Sequence, residues 1–225
     1  MGSSLSWLNC IVPLSKKFHV IALDLPGHGI SEPNLTNFHP NYINFWITAA
    51  LERLGVVNCF LVGHSFSALA VNDILHSSPS NFSGYRLVCP LIAGYSRLAP
   101  NVMRSFRNLN EKTCAELAKL MLNTEFGSNY EMTKASLIEF SKNSNSITAL
   151  KSIIETELDK YTTFEASSLL GNIDAAETFK NSILATKDNI VLYIDPEFSN
   201  MSKKIVSGHL PQIETPLELV RHITE

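Results

Sequence analysis

No apolar run in this sequence approaches the roughly 18 residues that a membrane-crossing helix needs. The opening string Met1-Gly2-Ser3-Ser4-Leu5-Ser6-Trp7 has neither the charged nor the apolar region of a secretory leader. Gly2 and Ser6 formally fit an N-myristoylation pattern, a motif too short to carry weight. Cysteine is scarce: Cys10, Cys59, Cys89 and Cys114 are scattered, with no CxxC pair and no Cys/His spacing that would close a tetrahedral zinc site. Charge is sparse too, at 17% of residues with a formal net charge of −3. That balance provides neither a basic face for phosphate backbones nor an acidic tail. No repeat or low-complexity tract interrupts the chain. The expectation is a cytoplasmic protein without membrane span, nucleic-acid partner, metal or cofactor. Three of the cysteines, Cys59 in Cys59-Phe60-Leu61-Val62 among them, are expected as buried thiols in a reducing compartment.

What is present is apolar and patterned. Hydrophobic residues make up 45% of 225, enough for one core, or for one core carrying a smaller lobe. Phe18-His19-Val20-Ile21-Ala22-Leu23-Asp24 reads as a buried strand entering the tight loop Pro26-Gly27-His28-Gly29. Residues from Tyr42 to Leu54 carry Ile43, Trp46, Ile47, Ala50, Leu51 and Leu54 at helical spacing, with Gly55 as the stop. Val56 to Val62 predicts a second buried strand, followed by Gly63 to Ser67 and a small-residue helix through Ala68, Ala70, Val71 and Ile74. Arg86 to Pro90 supplies another short strand. This alternation predicts an α/β fold, a mostly parallel sheet with helices on both faces.

From Tyr95 to Asp174 the pattern turns helical, over Cys114–Leu122, Met132–Ser141 and Ile147–Leu158, without a convincing strand. A stretch of about 80 residues is too long for an ordinary loop. The expected organisation is therefore a core of residues 1–94 and 175–225 with a helical lobe over 95–174. Strand patterns return at Ser182–Ala185 and, more weakly, at Lys203–Val206. A last helix should begin at Thr215-Pro216, Thr215 capping and Pro216 in the first turn.

A strand delivering Gly63-His64-Ser65-Phe66-Ser67 straight into a helix gives a G-x-S-x-G-like string its meaning. The sharp turn lifts the Ser65 hydroxyl above the sheet edge and aims the Phe66 amide at the place where an oxyanion would form. Ser67 stands where the motif has glycine, and the bland alternative is a serine-rich helix cap. A nucleophilic serine needs a histidine within hydrogen-bond reach and a carboxylate to orient it, in the chain order Ser, acid, His. Of the histidines after Ser65, His76 lies on the helix beyond the elbow and His222 at an expected exposed position of the last helix. His209, in Ser207-Gly208-His209-Leu210-Pro211, follows a strand end and is the preferred base. Asp188, three residues past the strand end at Ala185, is the preferred acid, with Asp195 as its competitor. Asp24 and His28 sit in a glycine loop read as structural, since one Asp and one His do not make a metal site.

Asp24-Leu25-Pro26-Gly27-His28-Gly29-Ile30-Ser31, Gly63 to Ser67, Lys187-Asp188-Asn189-Ile190-Val191 and Gly208 to Pro211 together resemble the α/β-hydrolase superfamily, specifically its small serine hydrolases with a helical cap. The resemblance spans residues 18 to 221. Esterases, thioesterases, aminopeptidases and carbon–carbon bond hydrolases share these strings, so the resemblance implies a mechanism more narrowly than a substrate. Epoxide hydrolases and haloalkane dehalogenases carry aspartate at the nucleophile position, and Ser65 argues against both. Family members usually open with further strands, the third ending in a His-Gly segment that supplies a second oxyanion amide. Met1 stands just after that point. The resemblance thus implies a sheet without its first strands, one exposed edge and one oxyanion donor fewer.

The function expected is hydrolysis of an ester or related acyl bond of a small-molecule substrate by Ser65, His209 and Asp188, with Phe66 at the oxyanion. The lobe should cover Ser65, with Phe106, Met121, Phe126, Phe140 and Tyr161 as candidate lining, although lobe core is the favoured role for most of them, since aromatics at helical spacing usually pack inward. The alternatives are a degenerate hydrolase fold that binds without turnover and a carbon–carbon bond hydrolase using the same residues.

Overall fold

The computed structural model describes residues 2–32, 40–78, 81–91, 96–156, 175–194 and 196–225. A 3₁₀ turn, Ser4–Trp7, leads into helix α1 (Leu8–Leu14), and α2 (Pro40–Arg53) precedes strand β1 (Cys59–His64). Then follow α3 (Phe66–Ser77), β2 (Phe82–Val88), β3 (Ser96–Leu98), and four helices, α4 (Pro100–Arg107), α5 (Glu111–Leu122), α6 (Ser128–Lys142) and α7 (Ser144–Thr156). The remainder is α8 (Ala175–Lys180), β4 (Ser182–Ala185), β5 (Val191–Ile194), α9 (Pro196–Met201), β6 (Lys203–Ile205), α10 (Pro211–Glu214) and α11 (Pro216–Thr224).

Strands β1, β2, β4 and β6 form one sheet in that order, and every neighbouring pair is parallel. Parallel neighbours require crossovers, and helices supply them on both faces. Away from β1 the sheet carries fully buried side chains: Leu87, Val88, Ile183 and Ile205, on β2, β4 and β6. Each such side chain contributes about 1.5–3 kcal/mol relative to exposure. At the sheet's start one expected buried strand is found only half-buried and the other is not found. β1 is only half-buried, with Phe60 37% and the preceding Val57 86% exposed. Phe18 to Leu23, expected as a strand, runs without sheet pairing, and Phe18 and Ile21 are exposed. The reason is common to both: apolar patterning marks a segment suited to a sheet, but a strand exists only where a neighbouring edge pairs with it. Among the described residues β1 pairs with β2 alone, and Phe18–Leu23 with none.

The helices between residues 100 and 156 match the expected helical stretch, and local chemistry explains their ends. Asn110 and Thr113 form a reciprocal capping box at α5, and Asn123 in the left-handed region closes it. One expectation fails within the stretch. Ser96–Leu98 forms β3, antiparallel to β5, giving a separate two-stranded sheet; a three-residue strand is too short to leave a periodic signal. Among the described residues these helices share their core with the rest of the fold. Val102, Cys114, Leu117, Leu137 and Ile154 share one buried cluster with Ile43 and Ile47 of α2 and Ala70 and Ile74 of α3. At α11 the Thr215 side chain does not cap as expected; its hydroxyl turns back to the Pro211 carbonyl at 3.5 Å. No described helix is long and apolar enough to cross a membrane.

Candidate active site

The parallel sheet puts its strand ends to use. Ser65 follows β1, Cys89 follows β2, Asp188 lies just beyond β4, and His209 lies just beyond β6. Side chains that are far apart in sequence therefore meet at one carboxyl edge, the place where open parallel sheets bind ligands. Main-chain bonds extend the strands into these loops. Ser65 N–H donates to Val88 O at 2.9 Å, Cys89 N–H to Ile183 O at 2.9 Å, Thr186 N–H to Ile205 O at 2.9 Å, and Lys187 N–H to Ser207 O at 3.0 Å.

At the elbow Ser65 has φ 53° and ψ −118°, a region that disfavours any side chain and costs about 1–3 kcal/mol. Gly63 is required by close approach: a Cβ there would lie 2.8 Å from the Ala68 Cα and 2.9 Å from the Ser67 carbonyl. Ser67, the departure from the motif, fastens the turn, its hydroxyl accepting from His64 N–H and donating to His64 O, both at 2.9 Å. The cap alternative for Ser65 does not match the geometry, since its side chain caps nothing at α3. Its hydroxyl instead meets His209 Nε2 at 2.9 Å. Phe66 opens α3, where the first amides have no acceptor within the helix and the helix end carries partial positive charge.

His209 is 2% exposed, and its Nδ1 lies 2.8 Å from Asp188 Oδ2. A carboxylate can only accept, so Nδ1 carries the proton and Nε2 is left as the acceptor for the Ser65 hydroxyl. The second Asp188 oxygen accepts from Ile190 N–H at 2.8 Å, which holds the carboxylate in place. Ser65, His209 and Asp188 thus come together as expected. The competing acid, Asp195, lies outside the described residues, as does the side chain of His76. His222 corrects an expectation: its side chain is 14% exposed rather than solvent-facing, and its nitrogens have no hydrogen-bond partner among the described residues. Burial first, then the nearby Arg221 and Lys203 charges, lowers its pKa.

Three neighbours escaped sequence reasoning. The Cys89 thiol contacts Asp188, and burial, followed by that carboxylate, pushes its pKa well above the usual thiol range. Glu214 Oε2 accepts from Ser207 Oγ at 2.9 Å and from Gly208 N–H at 2.6 Å, tying down the His209 loop. His64 Nε2 lies 2.7 Å from the His209 carbonyl. Position is the only sequence signal, and only for two of them: His64 precedes Ser65 and Glu214 lies five residues past His209, whereas Cys89 is near no candidate. His64, Cys89 and His209 bring ligand-type atoms within 4.8 Å of one another. Both His209 nitrogens and His64 Nε2 are already engaged, so this is a hydrogen-bonded network rather than an open coordination set. The cysteines are free thiols; Cys10, Cys89 and Cys114 are buried, whereas Cys59, expected buried, is only partly so.

A cavity of about 1360 Å³ runs from Ser65 and His209 beneath Phe106, Met121, Phe140 and Leu150. It exceeds the usual range of about 300–1,000 Å³ for ligand pockets because it continues along the unpaired side of β1 to Val20–Leu23. Phe106, Met121 and Phe140 both line it and pack on the shared core. Phe126 is 82% exposed and belongs to neither role, and Tyr161 lies outside the described residues. The Asp24 loop is a scaffold, as expected. Asp24 accepts from Ser4 N–H at 2.6 Å and Ile30 N–H at 3.2 Å, and His28 Nδ1 donates to Pro26 O at 3.1 Å.

Comparison with known proteins agrees with this architecture. The family described as alpha/beta hydrolase fold matches residues 1–195. The structure superimposes with TM-score 0.76 on 2-hydroxy-6-oxo-6-phenylhexa-2,4-dienoate hydrolase from Rhodococcus sp. strain RHA1, 16% identical, covering 100% of this chain and 86% of that one. A serine hydrolase from the polyaromatic-hydrocarbon-degrading bacterium Cycloclasticus zankles gives 0.74 at 14% identity, over 98% and 83% of the two chains. Among curated proteins, the dihydrolipoyllysine-residue acetyltransferase component of the acetoin cleaving system of Cupriavidus necator is 29% identical over 86 residues. That match covers 38% of this chain and 23% of the relative's length.

Proposed function

The chain belongs to the α/β-hydrolase fold family, and from that premise we propose that it is a serine hydrolase cleaving an ester or related acyl bond of a small molecule. The observation that carries this reading is the unbroken relay Ser65 Oγ, His209, Asp188, at 2.9 and 2.8 Å, opening on the cavity. Ser65 Oγ attacks the substrate carbonyl as its proton passes to His209 Nε2. Asp188 holds the imidazole in the productive tautomer and stabilises the imidazolium. The Phe66 amide, with the α3 N-terminus behind it, receives the oxyanion. The tetrahedral adduct then collapses: the bond to the leaving alkoxide breaks, and that oxygen takes the proton from His209. Water, deprotonated by His209, attacks the acyl-Ser65 carbonyl, and the acid product leaves as Ser65 regains its proton.

The lobe of residues 100–156 would act as a cap. Phe106, Met121, Phe140 and Leu150 make its cavity side apolar, which suits a hydrophobic acyl group. Free thiols throughout fit a reducing, cytoplasmic setting. Fluorophosphonate treatment followed by peptide mapping tests the reading. A single adduct at Ser65, lost in Ser65→Ala together with p-nitrophenyl ester turnover, is expected. Parental turnover in Ser65→Ala would overturn it.

A second reading is hydrolysis of a carbon–carbon bond next to a ketone, favoured by the likeness to the dienoate hydrolase and by a cavity longer than a simple ester needs. Turnover of a vinylogous diketone at a rate well above that of p-nitrophenyl esters would select it.

A further inference from the structure

We propose that His64, the residue immediately before the nucleophile, is the positioning residue that fixes His209 against Ser65, a role that rests on reading Ser65, His209 and Asp188 as the catalytic relay. His64 ends β1, and its Nε2 lies 2.7 Å from the main-chain carbonyl of His209, 145 residues away in sequence. A carbonyl only accepts, so Nε2 carries the proton and donates it. One residue thereby ties the strand that presents the nucleophile to the loop that presents the base.

Both ends of this tie are held. The His64 backbone is pinned on its N–H and its carbonyl by the Ser67 hydroxyl. The ring is flanked by His209, with centroids 4.9 Å apart and planes at 54°, and on another side by the edge of Trp7 at 6.5 Å. One residue earlier in the loop, Glu214 accepts from Gly208 N–H at 2.6 Å. Residues 208 and 209 are thus each fastened through the main chain, and what remains free for His209 is rotation of its side chain between Ser65 and Asp188. The backbone tie matters because proton transfer is steep in distance: displacement of a reacting group by about 1 Å can cost about 10²-fold in rate.

His64 also has to stay uncharged, since its ring lies close to an imidazole that becomes positive in the transition state. Burial first, then repulsion from His209, holds its pKa down to about 3. A neutral ring keeps its one N–H on the carbonyl and adds no second positive charge beside the imidazolium.

Three variants separate donation from packing. His64→Gln places an amide N–H near the position of Nε2, His64→Asn places it one bond short, and His64→Leu fills the space with no donor. The readouts are kcat and KM for a p-nitrophenyl ester, the rate of fluorophosphonate labelling, thermal midpoints, and the low-field proton resonance of His209 Nδ1–H. For Leu, kcat and labelling rate should fall about 10²-fold with KM and melting little changed and the resonance broadened or lost. Gln should recover most of the parental rate and the resonance, and Asn should not. If Leu does not fold, the Gln and Asn pair decides alone. Parental kcat and an intact resonance in Leu or Asn would overturn the proposal. If the parent takes no phosphonate while the resonance follows the variants as described, the catalytic reading fails and the positioning role stands.

Discussion

Two regions of this molecule carry the same chemical kit, an aspartate, a histidine and glycines, and they do different work. In the loop of residues 24–31, Asp24 spends both carboxylate oxygens on main-chain amides, and His28 turns its Nδ1 onto the Pro26 carbonyl. In the loops after β4 and β6, Asp188 gives one oxygen to the Ile190 amide and the other to His209, whose second nitrogen faces Ser65. The first set is spent on main-chain partners and the second leaves one acceptor aimed at a hydroxyl. Residue type is not what distinguishes them. The direction of the last unsatisfied atom is.

The largest effect expected from that contrast is in paired substitutions of the two aspartates. Asp188→Asn should lower kcat by about 10⁴-fold, because the amide favours the wrong imidazole tautomer, with little change in melting. Asp24→Ala leaves the Ser4 and Ile30 amides without their acceptor and should cost about 1–3 kcal/mol of stability with kcat near parental. Steady-state kinetics and urea titrations on both proteins check this. Equal kinetic defects in the two would erase the distinction.

The glycines should divide the same way. A Cβ at Gly208 would stand 2.6 Å from the Met121 carbonyl, a backbone atom that cannot yield. Gly208→Ala therefore moves the His209 backbone and should reduce kcat about 10²-fold. Gly29 has φ +55° and no room beside the Asp24 carboxylate, so Gly29→Ala should lower the melting temperature more than the rate.

Acid stability gives a smaller contrast. His28 and His64 are both held down to about 3 from an ordinary 6.5, by burial in the main. The folded state then binds fewer protons than the unfolded one, so the stability they confer is whole above pH 6.5 and is lost as pH falls from there toward about 3. His28→Gln should flatten part of that slope in thermal midpoints taken across the window, and an unchanged slope would show that His28 does not contribute.

Glu214 should act with the opposite sign and least strongly. Burial raises its pKa above the ordinary 4.5, so folding favours its protonated form, and its contribution falls as pH rises from 4.5 through the raised value. Glu214→Gln should remove that decline while retaining an acceptor for Gly208 N–H. A decline that persists in the variant would point to another group.

Much of the core was legible because local rules set it. The Gly63 to Ser67 string marks a strand-to-helix turn wherever small residues flank a serine, and α2 and α5 to α7 show their helical spacing directly. β4 and β6 were legible from short apolar runs next to polar loops. Phe18–Leu23 was misread because its pattern is that of a strand, while pairing depends on a neighbour that pattern does not contain. β3 was missed for the converse reason: three residues carry no period, and β5 supplies the pairing. Cys89, His64 and Glu214 were missed because nothing in a lone cysteine, histidine or glutamate says which loop it will touch.

By itself the sequence determined the periodicity of its helices, the sharp turn at Ser65, and the order serine, aspartate, histidine along the chain, since these depend on neighbours a few residues apart. Tertiary structure alone decided that Ser65, Asp188 and His209 share one edge and that His64 reaches across 145 residues to the His209 carbonyl. Those outcomes follow from the stacking of β1, β2, β4 and β6 in parallel, which brings the ends of distant strands within hydrogen-bond reach.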